Sequence, residues 1–368
     1  MTTLDETNTP AIEPIGGPAA WHGQTMDWKS DGLHVLNDQD IQEIDLALRH
    51  LKSLGKVDLP DITRVSFPLR AAAQTLDGIR AKLEQGRGFA LLRGLPRAQY
   101  STDDMARIFF GIGAYLGRPM PQSYHGEMLG HVMDVSDVED VPRAYHAGGH
   151  MGMHTDSCDV IGLMCLRSAV SGGASRIVSA VALHDELLTK HPDVLRTLYR
   201  GFFYRRKDLD GKFGSGRLLS EARVPVFTCS SDAATPLACY FLPGYAKSAA
   251  ARGDAELTPQ ERDAIACIER IAESPEFYLD MNFAEGDIQF LNNRLVLHGR
   301  TDYEDSKEIQ QRRHLLRLWL HVPHWPVLPK NQIFHTAEDH ALWLQRRSAL
   351  MELPSTYLAT MQNLVRAR

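Results

Sequence analysis

The stretch from residue 277 to residue 322 constrains the fold most, because it reads as one strand after another. Residues 277–283 and 288–296 are short apolar runs joined by the turn Ala284-Glu285-Gly286-Asp287, and 313–322 follows as a further strand. In that last strand the side chains alternate. Arg313, Leu315, Arg317 and Trp319 share one face, and His314, Leu316, Leu318 and Leu320 share the other. Short strands and Gly-rich turns also dominate from Pro121 to about residue 180.

Helical patterns lie earlier and between these strands. Asn37 caps an expected helix over 38–53, with Ile41, Ile44, Leu48 and Leu51 on one face. A second, over 69–85, carries Leu76, Ile79 and Leu83 and stops at Gly86 and Gly88, before the strand Phe89-Ala90-Leu91-Leu92. Thr102 begins a third, bearing Met105, Ile108 and Phe109. Others follow Ser179 and Pro192, and the capping box Thr258-Pro259-Gln260-Glu261 opens a helix to about residue 273. A final helix is expected over 337–350, beyond Pro329. No βαβ alternation and no Gly-rich phosphate loop occurs. The pattern predicts a mainly β fold with helical insertions, a sandwich or barrel core wrapped by helices. The expected organisation is a flexible arm over 1–30, one catalytic domain over 31–325, and a helical extension over 326–368. That extension either packs on the core or serves self-association as a homo-oligomer.

Composition narrows the partners. Of the 368 residues 43% are hydrophobic, enough for a sizeable core, and the net charge of −6 argues against nucleic acid. The one basic run, Arg205-Arg206-Lys207, is followed by Asp208 and Asp210 and reads as a solvated loop. No apolar run approaches the roughly 20 residues of a membrane helix. The N-terminal stretch has acids and prolines but no apolar signal core, so a cytoplasmic protein is expected. Five cysteines without CxxC spacing argue against a disulfide framework or a cysteine zinc site, whereas 16 histidines favour nitrogen and oxygen ligands for any metal.

The chemistry concentrates in Gly148-Gly149-His150-Met151-Gly152-Met153-His154-Thr155-Asp156. In an extended segment His154 and Asp156 point to one side and can reach one ion. His298, which ends the apolar run Leu295-Val296-Leu297, is the candidate third ligand. Two histidines and a carboxylate leave three positions open on octahedral iron(II), room for a bidentate cosubstrate and dioxygen. Zinc with the same ligands plus water is the alternative. Arg313 and Arg317 favour iron, because a dicarboxylate that chelates the metal needs a guanidinium at its far end. Five further histidines, His150, His184, His191, His314 and His321, read as ordinary core or surface residues.

These residues carry a resemblance. Gly88-Phe89-Ala90-Leu91-Leu92-Arg93-Gly94, His154-Thr155-Asp156, Gly172-Gly173-Ala174-Ser175, Leu291 through Arg300, and Arg312-Arg313-His314-Leu315-Leu316-Arg317 together resemble the taurine dioxygenase and 2,4-dichlorophenoxyacetate dioxygenase family. The resemblance implies a double-stranded β-helix (jelly-roll) core and the cosubstrates 2-oxoglutarate and dioxygen. It implies iron(II) on His154, Asp156 and His298. Arg313 matches the arginine that grips the distal carboxylate of 2-oxoglutarate, and Ser175 stands where the family places a threonine that bonds the same group. Arg317 matches an arginine that contacts an anionic substrate in several members, or else backs up the cosubstrate. Members that halogenate replace the carboxylate ligand with a small residue, so Asp156 implies oxygen transfer to a small-molecule substrate, by hydroxylation or by the related desaturation and ring closure.

The chain departs from the family just before His154. Glycines make that loop pliable and methionines give it an adaptable apolar wall, so His150, Met151, Met153 and Arg317 are the expected substrate-pocket residues. Two other readings exist: a zinc hydrolase using Asp134 or His150 as base, and a binding protein that keeps the fold without turnover.

Overall fold

The computed structural model describes residues 13–138, 144–205, 218–229, 236–332, 337–347 and 351–368. Two sheets stand at its centre. The larger runs Leu33–Val35, Phe89–Arg93, Ile288–Asn292, Val160–Arg167, His314–His321, Arg118–Pro119, with Leu129–Val132 also paired to His314–His321. The smaller runs Tyr278–Met281, Ser175–Ser179, Val296–Arg300, Met151–His154. Every pairing in both sheets is antiparallel except that of Leu33–Val35 with Phe89–Arg93.

Two-residue periodicity sorts the large sheet's side chains between two cores. Phe89, Leu91, Ile161, Leu163, Leu315 and Trp319 enter the core that reaches the small sheet. Ala90, Leu92, Val160, Met164, Leu316, Leu318 and Leu320 enter the other, under helices Asp38–Ser53, Ala71–Gln85 and Thr102–Gly113. Ile44, Leu48 and Leu51 of the first helix and Leu76, Ile79 and Leu83 of the second are all buried there, the stripes expected from their spacing. Helices Ala180–Lys190, Pro192–Arg200 and Pro259–Ala272 supply apolar residues to the first core. Capping boxes at Asn37 and Thr258 fix two of the helix starts. The β core flanked by helices is therefore as expected, although helices hold more residues than strands do.

Successive strands change sheets, as a jelly roll requires. Tyr278–Met281 belongs to the small sheet, Ile288–Asn292 to the large one and Val296–Arg300 to the small one again. The single strand expected over 288–296 is thus two strands with a turn between. The cause is local: the Asn292 side chain accepts from Arg294 N at 3.0 Å and donates to Leu83 O at 3.0 Å, and its carbonyl accepts from Leu295 N at 3.0 Å. Asparagine side chains that satisfy nearby backbone groups favour such turns over strands.

The described parts of both chain ends make contacts with the core. Residues 1–12 of the expected arm lie outside the described residues. From Ile15 the chain is held: Asp185 accepts from Ile15 N and Gly16 N at 2.8 Å each, and buried Trp21 donates to Arg87 O at 2.8 Å. An indole of that size stays buried because exposing it would cost apolar burial. The C-terminal extension holds two helices, Ala337–Arg346 and Pro354–Ala367, and the second packs Tyr357 and Met361 against Met133, Val135 and Ile309. Arg205 is buried and paired with Asp254 instead of solvated; Arg206, Lys207, Asp208 and Asp210 lie outside the described residues. No helix among the described residues is long and apolar enough to cross a membrane.

Candidate active site

His154 closes the strand Met151–His154, and His298 is the central residue of Val296–Arg300. The two are direct register partners across antiparallel strands, so their side chains share a face, with ring centroids 4.3 Å apart. His298 therefore sits mid-strand, not at the end of a strand as expected. Asp156 completes the group. Its Oδ1 is 4.0 Å from His154 Nε2, its Oδ2 is 3.9 Å from His298 Nε2, and the three candidate ligand atoms all lie within 4.8 Å of one another.

Asp156 arrives by a loop, not by strand alternation, because the strand ends at His154. Buried Thr155 between them fixes that loop: its N donates to Phe241 O at 2.9 Å, and its Oγ1 accepts from Phe241 N at 2.8 Å. Asn293, in the turn that interrupts the expected strand, accepts from Asp156 N at 2.9 Å and donates to Asp156 O and Cys158 O at 2.5 and 2.8 Å. The same turn thus ends one strand, starts the His298 strand and anchors the backbone of Asp156.

The protonation states suit a cation. His154 Nδ1 pairs with Gly152 O at 2.9 Å, which places its proton there and leaves the Nε2 lone pair free. Burial, then the neighbouring His154, pushes the His298 pKa down to about 3, so it stays a neutral ligand donor. Burial raises the Asp156 pKa, but Arg317, His298, His154 and Trp319 outweigh it and hold the carboxyl below its ordinary range. Two imidazoles and one carboxylate converge, the donor set of an open-sided iron(II) or zinc centre.

Two side chains that share a strand face hold that carboxylate. Trp319 Nε1 donates to Asp156 Oδ2 at 2.8 Å and Arg317 Nη1 at 3.2 Å. Arg317 Nε in turn donates to Gln122 Oε1 at 2.8 Å, and its guanidinium lies 4.3 Å from the ring centre of Tyr145. Arg317, expected to meet cosubstrate or substrate, thus spends two of its nitrogens on Asp156 and Gln122.

Arg313 shares that strand face but lies farther along it. It is 3% exposed, and its only side-chain hydrogen bond among the described residues runs from Nη2 to Gly173 O, at 3.2 Å. Nη1 is buried without a partner. Burial, then the nearby Arg300, lowers its pKa to about 10, so it remains a cation at neutral pH. Gly172 and Gly173 both have φ of +71°, and a Cβ on Gly173 would stand 3.0 Å from Arg313 Nε, so the glycines let the guanidinium lie against the backbone. Ser175 is buried nearby, its Oγ donating to Gln289 Oε1 at 2.8 Å.

The expected pocket residues scatter. Met153 is buried in the core, and Met151 is half-buried against it. His150 turns to Glu273, with Nε2 3.4 Å from Oε1. A one-residue bulge separates the His298–His154 pair from the Arg300–Met151 pair. Trp319, Gln122, Tyr145 and Asn293 were not anticipated. For Trp319 a signal existed, since it shares the Arg313 and Arg317 face. Gln122 and Tyr145 carried none.

Comparison with known proteins agrees with this geometry. The chain is 27% identical to FR-33289 synthase of Streptomyces rubellomurinus, over 88% of this chain and 95% of that one. It is 29% identical to a taurine hydroxylase-like protein of Stachybotrys chartarum, over 81% and 77%. Among solved structures, asparagine oxygenase in complex with Fe(II), 2S,3S-3-hydroxyasparagine and succinate matches the fold with a TM-score of 0.60 at 15% identity, over 78% and 93%. Non-heme iron oxygenase OrfP in complex with Fe and alpha-ketoglutaric acid matches with 0.58 at 14%, over 79% and 94%. The profile of the taurine catabolism dioxygenase TauD, TfdA family covers residues 52–319. With that match over most of its length and a His-Asp-His cluster at its centre, the chain belongs to the TauD, TfdA family and is a 2-oxoglutarate-dependent non-haem iron dioxygenase.

Proposed function

We propose that His154 Nε2, His298 Nε2 and one oxygen of Asp156 hold iron(II), and that Arg313 receives the distal carboxylate of 2-oxoglutarate, with the Ser175 hydroxyl turning from Gln289 to donate to it. The observation that carries this reading is the convergence of three ligand atoms within 4.8 Å on a register-paired strand edge. The orphaned Arg313 Nη1 supports the second half, because a buried guanidinium without an anion is costly. When bound, the iron and 2-oxoglutarate supply the oxidising power. One oxygen of dioxygen goes to succinate, released with carbon dioxide, and the other to the hydroxylated product.

The protein's own share is placement and shielding. Trp319 and Arg317 occupy Asp156 Oδ2, which leaves Oδ1 to the metal and keeps the carboxylate from taking a second coordination position. Tyr145 covers the Arg317 guanidinium from water. The substrate is a small organic anion. Arg317 supports this choice, since its positive charge stands beside the cluster and its Nη2 makes no hydrogen bond to a described residue. Hydroxylation is supported by the fold neighbours asparagine oxygenase and OrfP, solved in complex with 2S,3S-3-hydroxyasparagine and with (3S)-hydroxy-L-Arg.

The test is anaerobic. Protein with iron(II) and 2-oxoglutarate should show a weak visible charge-transfer band, absent in Asp156→Ala and His298→Ala. An unchanged band in either variant rules out the ligand assignment. Succinate formation dependent on an added anionic metabolite, followed across a substrate panel, then identifies the substrate.

A further inference from the structure

Arg300 lies two residues beyond His298 on the same strand and is not needed for the metal. It is 5% exposed. Its Nε and one Nη donate to the carbonyls of Ala147 and Gly149 at 2.8–3.1 Å, and its Nη1 is buried with no partner. Arg313 Nη1 and the Tyr303 hydroxyl are orphaned in the same way. The three are neighbours: the guanidinium carbons of Arg300 and Arg313 lie 4.7 and 5.5 Å from the centre of the Tyr303 ring. Neither guanidinium forms an ion pair among the described residues; Asp305 accepts from the backbone N of Arg313 instead. Asp134, Asp302 and Asp305 act on Arg300 only from beyond ion-pair distance, so the two buried cations about the Tyr303 ring have no carboxylate in contact among the described residues and call for an anion from outside.

The register says where that anion lies relative to the metal. Arg300 is the direct partner of Ser175, as His298 is of Ile177 and His154, so Arg300, Ser175 and His298 face the same way. Two residues along a strand separate His298 from Arg300 by about 6.8 Å, on the scale of a five-carbon 2-oxo diacid that chelates at one end. We propose that Arg300 Nη1 and Tyr303 Oη join Arg313 Nη1 as donors to the distal carboxylate of 2-oxoglutarate, so that two guanidinium groups and a phenol grip it. The inference rests on the iron and 2-oxoglutarate reading and adds a reason for selectivity: the site rejects 2-oxo acids that lack the second carboxylate, because both cations would then stay buried and unpaired.

The experiment titrates iron(II)-loaded protein, without oxygen, with 2-oxoglutarate and with 2-oxovalerate, following the visible band. Arg300→Gln should weaken 2-oxoglutarate at least about tenfold, the usual scale for a charge-assisted hydrogen bond, and leave 2-oxovalerate within about twofold. Tyr303→Phe should shift the same ratio less, and it decides the matter should Arg300→Gln not fold. If Arg300→Gln leaves the ratio of the two affinities unchanged, the proposal fails. That holds even when both affinities fall together, because Arg300 then serves only to hold the Ala147–Gly149 loop. A wild-type protein with no band for 2-oxoglutarate overturns the parent reading as well, whereas a wild-type band with an unaltered ratio overturns this one alone.

Discussion

Trp319 Nε1 stands 2.8 Å from Asp156 Oδ2, so an indole buried in the core steers the carboxylate of the His154-Asp156-His298 cluster. Removing that donor with Trp319→Phe keeps an aromatic ring at the position, though a smaller one, and takes away the Asp156 Oδ2 partner. Iron(II) affinity, measured by competition with a chromophoric chelator, should fall by roughly tenfold, the common effect of losing a partner that orients a metal ligand. An unaltered affinity and an unshifted charge-transfer band would show that Arg317 alone fixes the carboxylate.

Arg313→Ala should raise the dissociation constant for 2-oxoglutarate by about tenfold to a hundredfold. Iron(II) binding in the absence of 2-oxoglutarate should not change, since Arg313 touches none of the three ligands. Lysine is expected to restore little, because the site is shaped for a planar fork. Full recovery in Arg313→Lys would argue for a simple point-charge role.

Asn293 satisfies three backbone groups of the Asp156–Cys158 loop at once. Asn293→Ala strands them and should cost on the order of 3 kcal/mol in urea unfolding. Iron(II) affinity should drop with it, since Asp156 loses its anchor. A stable variant with normal metal affinity would mean that Thr155 suffices to hold the loop.

His131 and His314 form a buried pair, Nδ1 to Nε2 at 3.0 Å, with Met351 O on the far nitrogen of His131 at 2.8 Å and Tyr357 stacked on its ring. Burial pushes His131 down to about 4, and burial with His131 pushes His314 well below its ordinary value. Both are neutral in the folded chain, while the unfolded chain takes up protons near pH 6.5. The unfolded state therefore binds more protons between about pH 6.5 and 4, and stability must fall as pH drops through that window. The His131 share is about 3 kcal/mol. Unfolding curves across this range for wild type and His131→Gln check it: the variant should lose part of the slope, and parallel curves would exclude the pair as the cause.

Much of this was readable beforehand, and the misses share a cause. The helix stripes of Ile44, Leu48 and Leu51 and the alternation from Arg313 to Trp319 follow from local periodicity, which the tertiary structure preserves; the convergence of His154, Asp156 and His298 was legible from residue type and order, although Asp156 arrives by a loop and not by alternation. The strand expected over 288–296 failed because its apolar character outweighed the Asn292-Asn293 turn chemistry. His298 Nε2 and Asp156 Oδ2 stand 3.9 Å apart, but the means of bringing them together depends on Asn293 and Phe241, which no spacing rule connects. Gln122 and Tyr145 reach Arg317 from segments whose sequence carries no sign of it. Met153 is buried in the core because it precedes His154 directly on the strand, and successive side chains point to opposite faces.

The backbone pairing of His154 with His298 has a consequence for how the enzyme is made and loaded. Hydrogen-bonded strands and the loop bound by Asn293 already hold the candidate coordinating atoms in place, so the ion is a guest of a finished scaffold and not a clasp that closes it. Unlike a zinc finger, which collapses when stripped, this protein should keep its far-ultraviolet circular dichroism after dialysis against a chelator. Restored iron should then raise the melting temperature only as far as ligand mass action allows.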